Sequence, residues 1–164
     1  MKNRDLRKTK DLNPNIHINI AVVLAGGSGK RMKMKGSKQL IMIDDLPVFR
    51  HSVDLFKNLS EIHHVIVVYN PDYEREFQRW CSDIENISLV KCGDERYKSS
   101  FNALQYIDEN FQNVNRVLIH DGARPFVKKE LATRLLEFTC STDCGVIPVI
   151  PVKDTIKRVE DGKV

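Results

Sequence analysis

The sequence has no long hydrophobic run: no apolar stretch approaches the ~20 residues needed to span a bilayer. It is poor in cysteine, with four among 164 residues, and contains no C-x-x-C pair. Cys140 and Cys144 stand four apart with no histidine near them to complete a zinc set. All four thiols, Cys81, Cys92, Cys140 and Cys144, are expected to be reduced in a cytoplasmic protein, most of them filling apolar space. Tryptophan occurs once, and Trp80 lies at helical spacing from Phe77, which favours a core position over a stacking platform. The N-terminus, MKNRDLRKTKDLNPN, is basic but has no apolar segment behind it, so it does not read as a secretory signal.

The excess of positive charge is local. Residues 1–10 carry five cations (Lys2, Arg4, Arg7, Lys8, Lys10) and one anion (Asp5), which accounts for the whole net charge of +4. Residues 1–19 are therefore expected to form a solvated, mobile extension rather than a nucleic-acid-binding arm. With 41% hydrophobic and 29% charged residues, the rest has the composition of one soluble globular domain, in which about two-thirds of the unfolded surface would be buried.

Glycine is scarce too, with eight residues, but three of them stand together. The apolar run Ile20–Ala25 reads as a buried parallel strand and leads directly into Gly26-Gly27-Ser28-Gly29. Lys30, Arg31, Lys33, Lys35 and Lys38 come next. Residues without a Cβ let backbone N–H groups close around an anion, and nearby cations neutralise it, so the natural ligand is a di- or triphosphate. The loop is not of the Walker A type, because Leu24 and Arg31 occupy the positions that need glycine and Ser or Thr. Nor is it a dinucleotide fingerprint, whose third glycine is replaced by Met32, which disfavours an NAD-dependent oxidoreductase.

Further along, Leu40–Ile43 is a short strand-like run ended by Asp44-Asp45, and Pro47 opens a helix through Leu59. His64–Tyr69 is a second buried strand, and Asn70-Pro71-Asp72 turns it into a helix carrying Tyr73, Phe77 and Trp80. A third strand, Ile87–Val90, precedes a polar turn and a helix whose apolar face is expected to hold Phe101, Leu104, Ile107 and Phe111, with Ser99 or Ser100 as cap. Arg116–Ile119 is a fourth strand and delivers His120-Asp121-Gly122-Ala123-Arg124-Pro125. A carboxylate at the end of such a strand can hold a hard cation such as Mg²⁺, and an arginine beside it can grip a phosphate. Lys128–Cys140 is expected as a helix with Leu131, Leu135, Leu136 and Phe138 making apolar contacts. Cys144–Ile150 is expected as a strand, demoted toward an edge or bend by Pro148. The repeated strand–helix order implies a mostly parallel sheet with helices on both faces.

Four stretches together resemble one family. Leu-Ala-Gly-Gly-Ser-Gly-Lys-Arg-Met (24–32) with Lys38-Gln39 is similar to the signature loop of sugar-nucleotide pyrophosphorylases. Gly-Asp-Glu-Arg (93–96), His-Asp-Gly-Ala-Arg-Pro (120–125) and Asp-Thr-Ile-Lys-Arg (154–158) narrow the resemblance to the 2-C-methyl-D-erythritol 4-phosphate cytidylyltransferases of isoprenoid precursor synthesis. Ser37 stands where that family usually has proline, and Gly122 where alanine is commoner. The resemblance implies a Rossmann-like three-layer α/β/α nucleotidyltransferase fold over residues 20–151. It implies transfer of CMP from CTP to a sugar-alcohol phosphate, with Mg²⁺ or another divalent cation as cofactor and a homodimer as the assembly.

By the same resemblance, Arg31 and Lys38 would be catalytic, and Asp121 would hold the metal. Leu24, Ala25, Gly26, Gly27, Ser28, Gly29, Gly93, Asp94, Ser99 and Gly122 would bind the nucleotide, supported by Arg96 and Arg124. Asp154 and Thr155 would face the acceptor, and His120 is left as structural. Residues 152–164 read as the start of a dimerisation arm that stops in mid-hairpin, without the family's late lysine. Two other readings stand beside this one: a ribitol-5-phosphate cytidylyltransferase, and a nucleotide-binding domain without turnover.

Overall fold

The computed structural model describes residues 17–27, 36–138, 144–153, 155 and 157. Among them, four strands form a parallel sheet in the order β5-β4-β1-β6: β1 (Ile18–Ala25), β4 (His64–Tyr69), β5 (Ile87–Lys91) and β6 (Val114–Asp121). Two short strands, β2 (Met42–Ile43) and β3 (Leu46–Pro47), make a separate antiparallel hairpin. Its turn residues, Asp44 and Asp45, both have positive φ (46° and 61°), the conformation that a two-residue hairpin turn demands.

The helices are α1 (Val48–Lys57), α2 (Glu74–Cys81), α3 (Arg96–Asn110) and α4 (Lys129–Glu137). Alternation along the strands assigns them to faces. Ala21, Val23 and Ala25 of β1 point to one face with Val65, Val67 and Tyr69 of β4. There they meet Phe49, Val53 and Phe56 of α1, Phe77 and Cys81 of α2, and Ala132 and Leu136 of α4. The rings of Phe49 and Phe77 lie 4.6 Å apart, and each fully buried ring contributes about 1.5–3 kcal/mol. Ile18, Ile20, Val22 and Leu24 point to the other face, against Ala103 and Ile107 of α3. The result is the three-layer α/β/α arrangement expected from the strand–helix order.

Local chemistry fixes the helix starts. Pro47, with φ −67°, precedes α1, and the Val48 N–H donates to the Ile41 carbonyl. The Asn70 side chain accepts the Asp72 N–H at 3.1 Å and turns the chain out of β4 toward α2. The chain moves from β1 to β4 to β5 on one side, then crosses under the sheet through α3 to reach β6 on the other side of β1. That reversal opens a crevice at the carboxyl ends of β1 and β6.

Several expectations are corrected. The core face of α3 is Ser99, Ala103 and Ile107, whereas Phe101 and Leu104 are 63% and 42% exposed. Small residues let the helix axis approach the sheet, and the larger side chains fall outside the contact. Neither Ser99 nor Ser100 caps that helix: it begins at Arg96, after Glu95, with no side-chain cap. Phe138 lies just past the end of α4 and is exposed. Residues 144–150 form no strand and are exposed; Pro148 lacks a ladder donor, and no described strand lies beside them. Cys81 and Cys92 are free thiols, but Cys144 is disulfide-bonded, against the expectation of reduced thiols throughout. Trp80 is partly buried against the core, as its spacing implied. Residues 1–16 of the expected extension, and all but residues 152, 153, 155 and 157 of the expected arm, lie outside the described residues.

Candidate functional site

The carboxyl ends of all four parallel strands open on one cleft of about 440 Å³. β1 contributes Leu24 and, just beyond its end, Gly26 and Gly27; β4 is continued by Asn70, β5 by Cys92 and Gly93, and β6 ends in Asp121. Lys38 and Gln39 enter from the 3-10 turn Lys38–Leu40. The start of α3 closes the opposite side with Asp94, Glu95, Arg96 and Ser99.

Asp121 is the electrostatic centre. Its Oδ1 accepts the Ala123 N–H at 3.2 Å, and its Oδ2 lies 3.2 Å from Arg96 Nη1 and 3.8 Å from Arg124 Nε. Burial alone would push the carboxyl pKa up. The Ala123 N–H, the Arg96 guanidinium and the Lys38 ammonium outweigh it and hold the group below the usual carboxylate range. The site thus presents a carboxylate whose ionised form is favoured, flanked by Arg96, Arg124 and Lys38.

The turn after β5 is built by Ser99. Its hydroxyl accepts the Gly93 N–H at 3.2 Å and donates to the Glu95 carbonyl at 3.1 Å. A Cβ on Gly93 would stand 2.4 Å from the Lys98 Cβ, so only glycine fits there. Asp94 pairs with Lys98 at 2.8 Å, and that hydrogen bond lowers its pKa. Gly26 is equally constrained: a Cβ there would meet the Cys92 Cβ at 2.3 Å, and the Cys92 thiol lies 3.6 Å from the Gly26 carbonyl. Glycine at these two positions reflects close backbone approach beside the cleft.

The structure brings most of the expected site residues together. Lys38, Leu24, Gly26, Gly27, Gly93, Asp94, Ser99, Arg96 and Asp121 line the cleft. Ala25 points its side chain into the core on the α1 face. Gly122 is buried behind β1, where its N–H donates to the Leu24 carbonyl at 3.0 Å. Arg124 is exposed beside Asp121, and Thr155 is exposed with no place in the cleft lining. Arg31, Ser28, Gly29 and Asp154 lie outside the described residues. His120 has a structural setting: its Nε2 donates to the Arg124 carbonyl at 3.0 Å, and its ring meets Phe56 edge-on at 5.3 Å. Asn70, Cys92, Glu95 and Gln39 line the cleft without having been assigned a site role from the sequence. Each directly succeeds a strand, precedes α3 or adjoins Lys38, and this position was the available signal.

The residues present fit a divalent cation. Mg²⁺ is commonly held by one or two protein carboxylates, with ligand phosphates and water completing the shell. Asp121 is ionised and faces the cleft, and its Arg96 partner is 70% exposed and able to move aside. Among the described residues, no group of three or more His, Cys, Asp or Glu side chains could hold a metal alone. Any cation here would therefore be shared with a ligand. No described helix is long and apolar enough to cross a membrane.

Comparison with known proteins converges on the same assignment. Residues 19–164 match the family model described as 2-C-methyl-D-erythritol 4-phosphate cytidylyltransferase. A protein of that name from Alkaliphilus metalliredigens is 37% identical over 144 residues, covering 85% of this chain and 58% of the relative. A chloroplastic one from Oryza sativa is 38% identical over 145 residues, covering 86% of this chain and 46% of the relative. A solved 4-diphosphocytidyl-2C-methyl-D-erythritol synthase superposes with a TM-score of 0.71 at 25% identity, over 91% of this chain and 67% of that one. The synthase from Anaerococcus prevotii gives 0.61 at 28% identity, over 73% and 49%. The chain spans less than two thirds of the length of the curated relatives it matches. With a matching model over nearly the whole chain and a superposable fold, the chain belongs to the 2-C-methyl-D-erythritol 4-phosphate cytidylyltransferase family.

Proposed function

We propose that this protein is a cytidylyltransferase, moving CMP from CTP to 2-C-methyl-D-erythritol 4-phosphate with release of pyrophosphate. The observation that carries the reading is the convergence of Lys38, Asp121 and the Gly93–Ser99 turn on one cleft at the sheet's carboxyl edge. A phosphate oxygen of the acceptor attacks the α-phosphorus of CTP. The bond from that phosphorus to the oxygen bridging toward the β-phosphate breaks, and pyrophosphate carries the electron pair away.

The protein's part is positioning and charge stabilisation. Lys38 and Arg31 balance the negative charge that grows on the triphosphate. Backbone donors from Gly26 through Gly29 hold phosphate and base, and Gly93, Asp94 and Ser99 hold the cytosine and ribose. Asp121 would hold Mg²⁺, which when bound neutralises phosphate oxygens. Arg96 and Arg124 support that corner, as their distances to Asp121 allow. Ala25 and Gly122 contribute through their backbone, and an acceptor-binding role for Asp154 and Thr155 requires Thr155 to leave its place outside the cleft lining. A homodimer in the cytoplasm is the expected assembly and setting.

The test is pyrophosphate release that needs CTP, Mg²⁺ and the methylerythritol phosphate together. Release with ribitol 5-phosphate instead would move the assignment to the sister cytidylyltransferases. CTP binding without release would leave a nucleotide-binding domain, a reading favoured by the placement of Thr155 away from the cleft lining.

A further inference from the structure

The turn that carries Asp121 and Arg124 is tied down at both ends. At its start the Gly122 N–H donates to the Leu24 carbonyl of β1 at 3.0 Å, and within it the Arg124 N–H donates to the Asp121 carbonyl at 2.9 Å. At its far end the Arg124 carbonyl accepts from two side chains, His120 Nε2 at 3.0 Å and Ser52 Oγ of α1 at 3.4 Å. Between these ties stands the Ala123 N–H, which donates to Asp121 Oδ1 at 3.2 Å.

His120 and Asp121 are successive residues of β6, so their side chains point to opposite faces of the sheet. Asp121 lines the cleft, and His120 lies with Leu118 on the α1 face, where its ring meets Phe56 edge-on. His120 is not part of the cleft lining, so it acts on a ligand there only through other residues. A leucine would pack against Phe56 without the desolvation cost of a part-buried imidazole. What the imidazole adds is the hydrogen bond to the Arg124 carbonyl, which no apolar side chain can make.

We propose that His120 is a positioning residue of this site: its Nε2–H holds the far end of the 121–124 turn and, through the Ala123 N–H, keeps the Asp121 carboxylate aimed into the cleft. This rests on the cytidylyltransferase reading above and extends the site to a side chain on the far face of β6. Without that donor, Ser52 alone restrains the Arg124 carbonyl, and at 3.4 Å it does so weakly. The Ala123 N–H then shifts, and Asp121 loses the bond that fixes one of its oxygens. Groups that orient a metal-binding side chain from behind typically cost 10–100-fold in affinity or activity when removed.

The test compares wild type with His120→Leu, which packs but cannot donate, and with His120→Gln, whose amide N–H has nearly the same reach. The readouts are Mn²⁺ affinity in the presence of CTP, from the paramagnetic resonance of free Mn²⁺, and kcat for pyrophosphate release. His120→Leu should lose about tenfold in both, and His120→Gln should recover most of each loss. Should leucine not fold, Ser52→Ala removes the other donor to the same carbonyl and should weaken Mn²⁺ binding by a smaller factor. Wild-type values in the donor-less variant, whatever its unfolding midpoint, overturn the inference, and so does a loss in His120→Gln as large as in His120→Leu. Wild type that binds Mn²⁺ with CTP but releases no pyrophosphate overturns the reading above, and the Mn²⁺ comparison still decides the inference. Wild type that retains no Mn²⁺ with CTP overturns both.

Discussion

Arg96 reaches over the cleft to Asp121, with Nη1 3.2 Å from Oδ2. The contact joins the first residue of α3 to the last residue of β6, two elements on opposite sides of the crevice. It is energetically light, because the Arg96 side chain is 70% exposed and such pairs contribute about 0–1 kcal/mol. Its importance is directional: it aims a cation and an anion at the same point in space.

Asp121→Asn keeps the shape and removes the charge. Mg²⁺-dependent pyrophosphate release is expected to fall at least ~10²-fold, the scale of losing one electrostatic stabiliser. Stability should change by less than about 1 kcal/mol, since the ion pairs lost are largely exposed. Release assays and urea unfolding on the same preparation separate the two effects. A large loss of stability would make Asp121 a folding residue first.

Gly26→Ala puts a Cβ where the Cys92 Cβ already stands, at 2.3 Å. Overpacking of this kind is expected to cost about 1–3 kcal/mol. Cys92→Gly removes the opposing atom, so the double variant should recover more than half of the loss. Additive losses in a double-mutant cycle by urea unfolding would contradict that contact.

His64 is expected to make the protein acid-sensitive. Burial lowers its pKa from 6.5 to about 4. Its Nε2 is 2.9 Å from the Ser88 hydroxyl, which also accepts from Tyr106 at 3.1 Å. The unfolded chain takes up a proton below pH 6.5 that the folded chain refuses until about pH 4. Stability from this group is therefore whole above pH 6.5 and declines as pH falls toward 4, by about 2 kcal/mol at pH 5. His64→Gln should flatten that part of the curve, measured by urea midpoints between pH 7.5 and 4.5.

Cys81 and Cys92, the free thiols among the described residues, should differ in reactivity. Burial pushes the Cys81 thiol up to about 12, so alkylation there should wait for unfolding. Cys92 is also shifted up by burial but lines the cleft, so it should react slowly in the native protein. Saturating CTP should slow it by about tenfold, a factor to be read by mass spectrometry of timed iodoacetamide samples.

The parallel strands were legible because Ala21–Ala25, Val65–Tyr69 and Ile87–Val90 are apolar runs too short for helices and bounded by turn residues. The cleft was legible because parallel strands deliver the residues beyond their carboxyl ends to one edge, so Gly26, Gly93 and Asp121 had to converge. The inner face of α3 was legible only in part: Ile107 and Phe111 pack where expected, but the small residues Ser99 and Ala103 make the rest of the contact while Phe101 and Leu104 dominated the periodicity. Ser99 was singled out for the right neighbourhood but the wrong bond, since its hydroxyl ties down Gly93 rather than capping the helix.

β1 pairs with β4 starting at His64 and with β6 starting at Val114. Of the four parallel strands, the central β1 is thus the first to leave the ribosome and the last to be enclosed. One side can close only after residue 69 has emerged, the other only after residue 121. Until then an almost wholly apolar segment waits with a bare edge, and distant pairing of this kind forms slowly. The yield of folded protein in a cell should accordingly track the supply of holding chaperones and the pace of translation across that interval more closely than the stability of the finished fold.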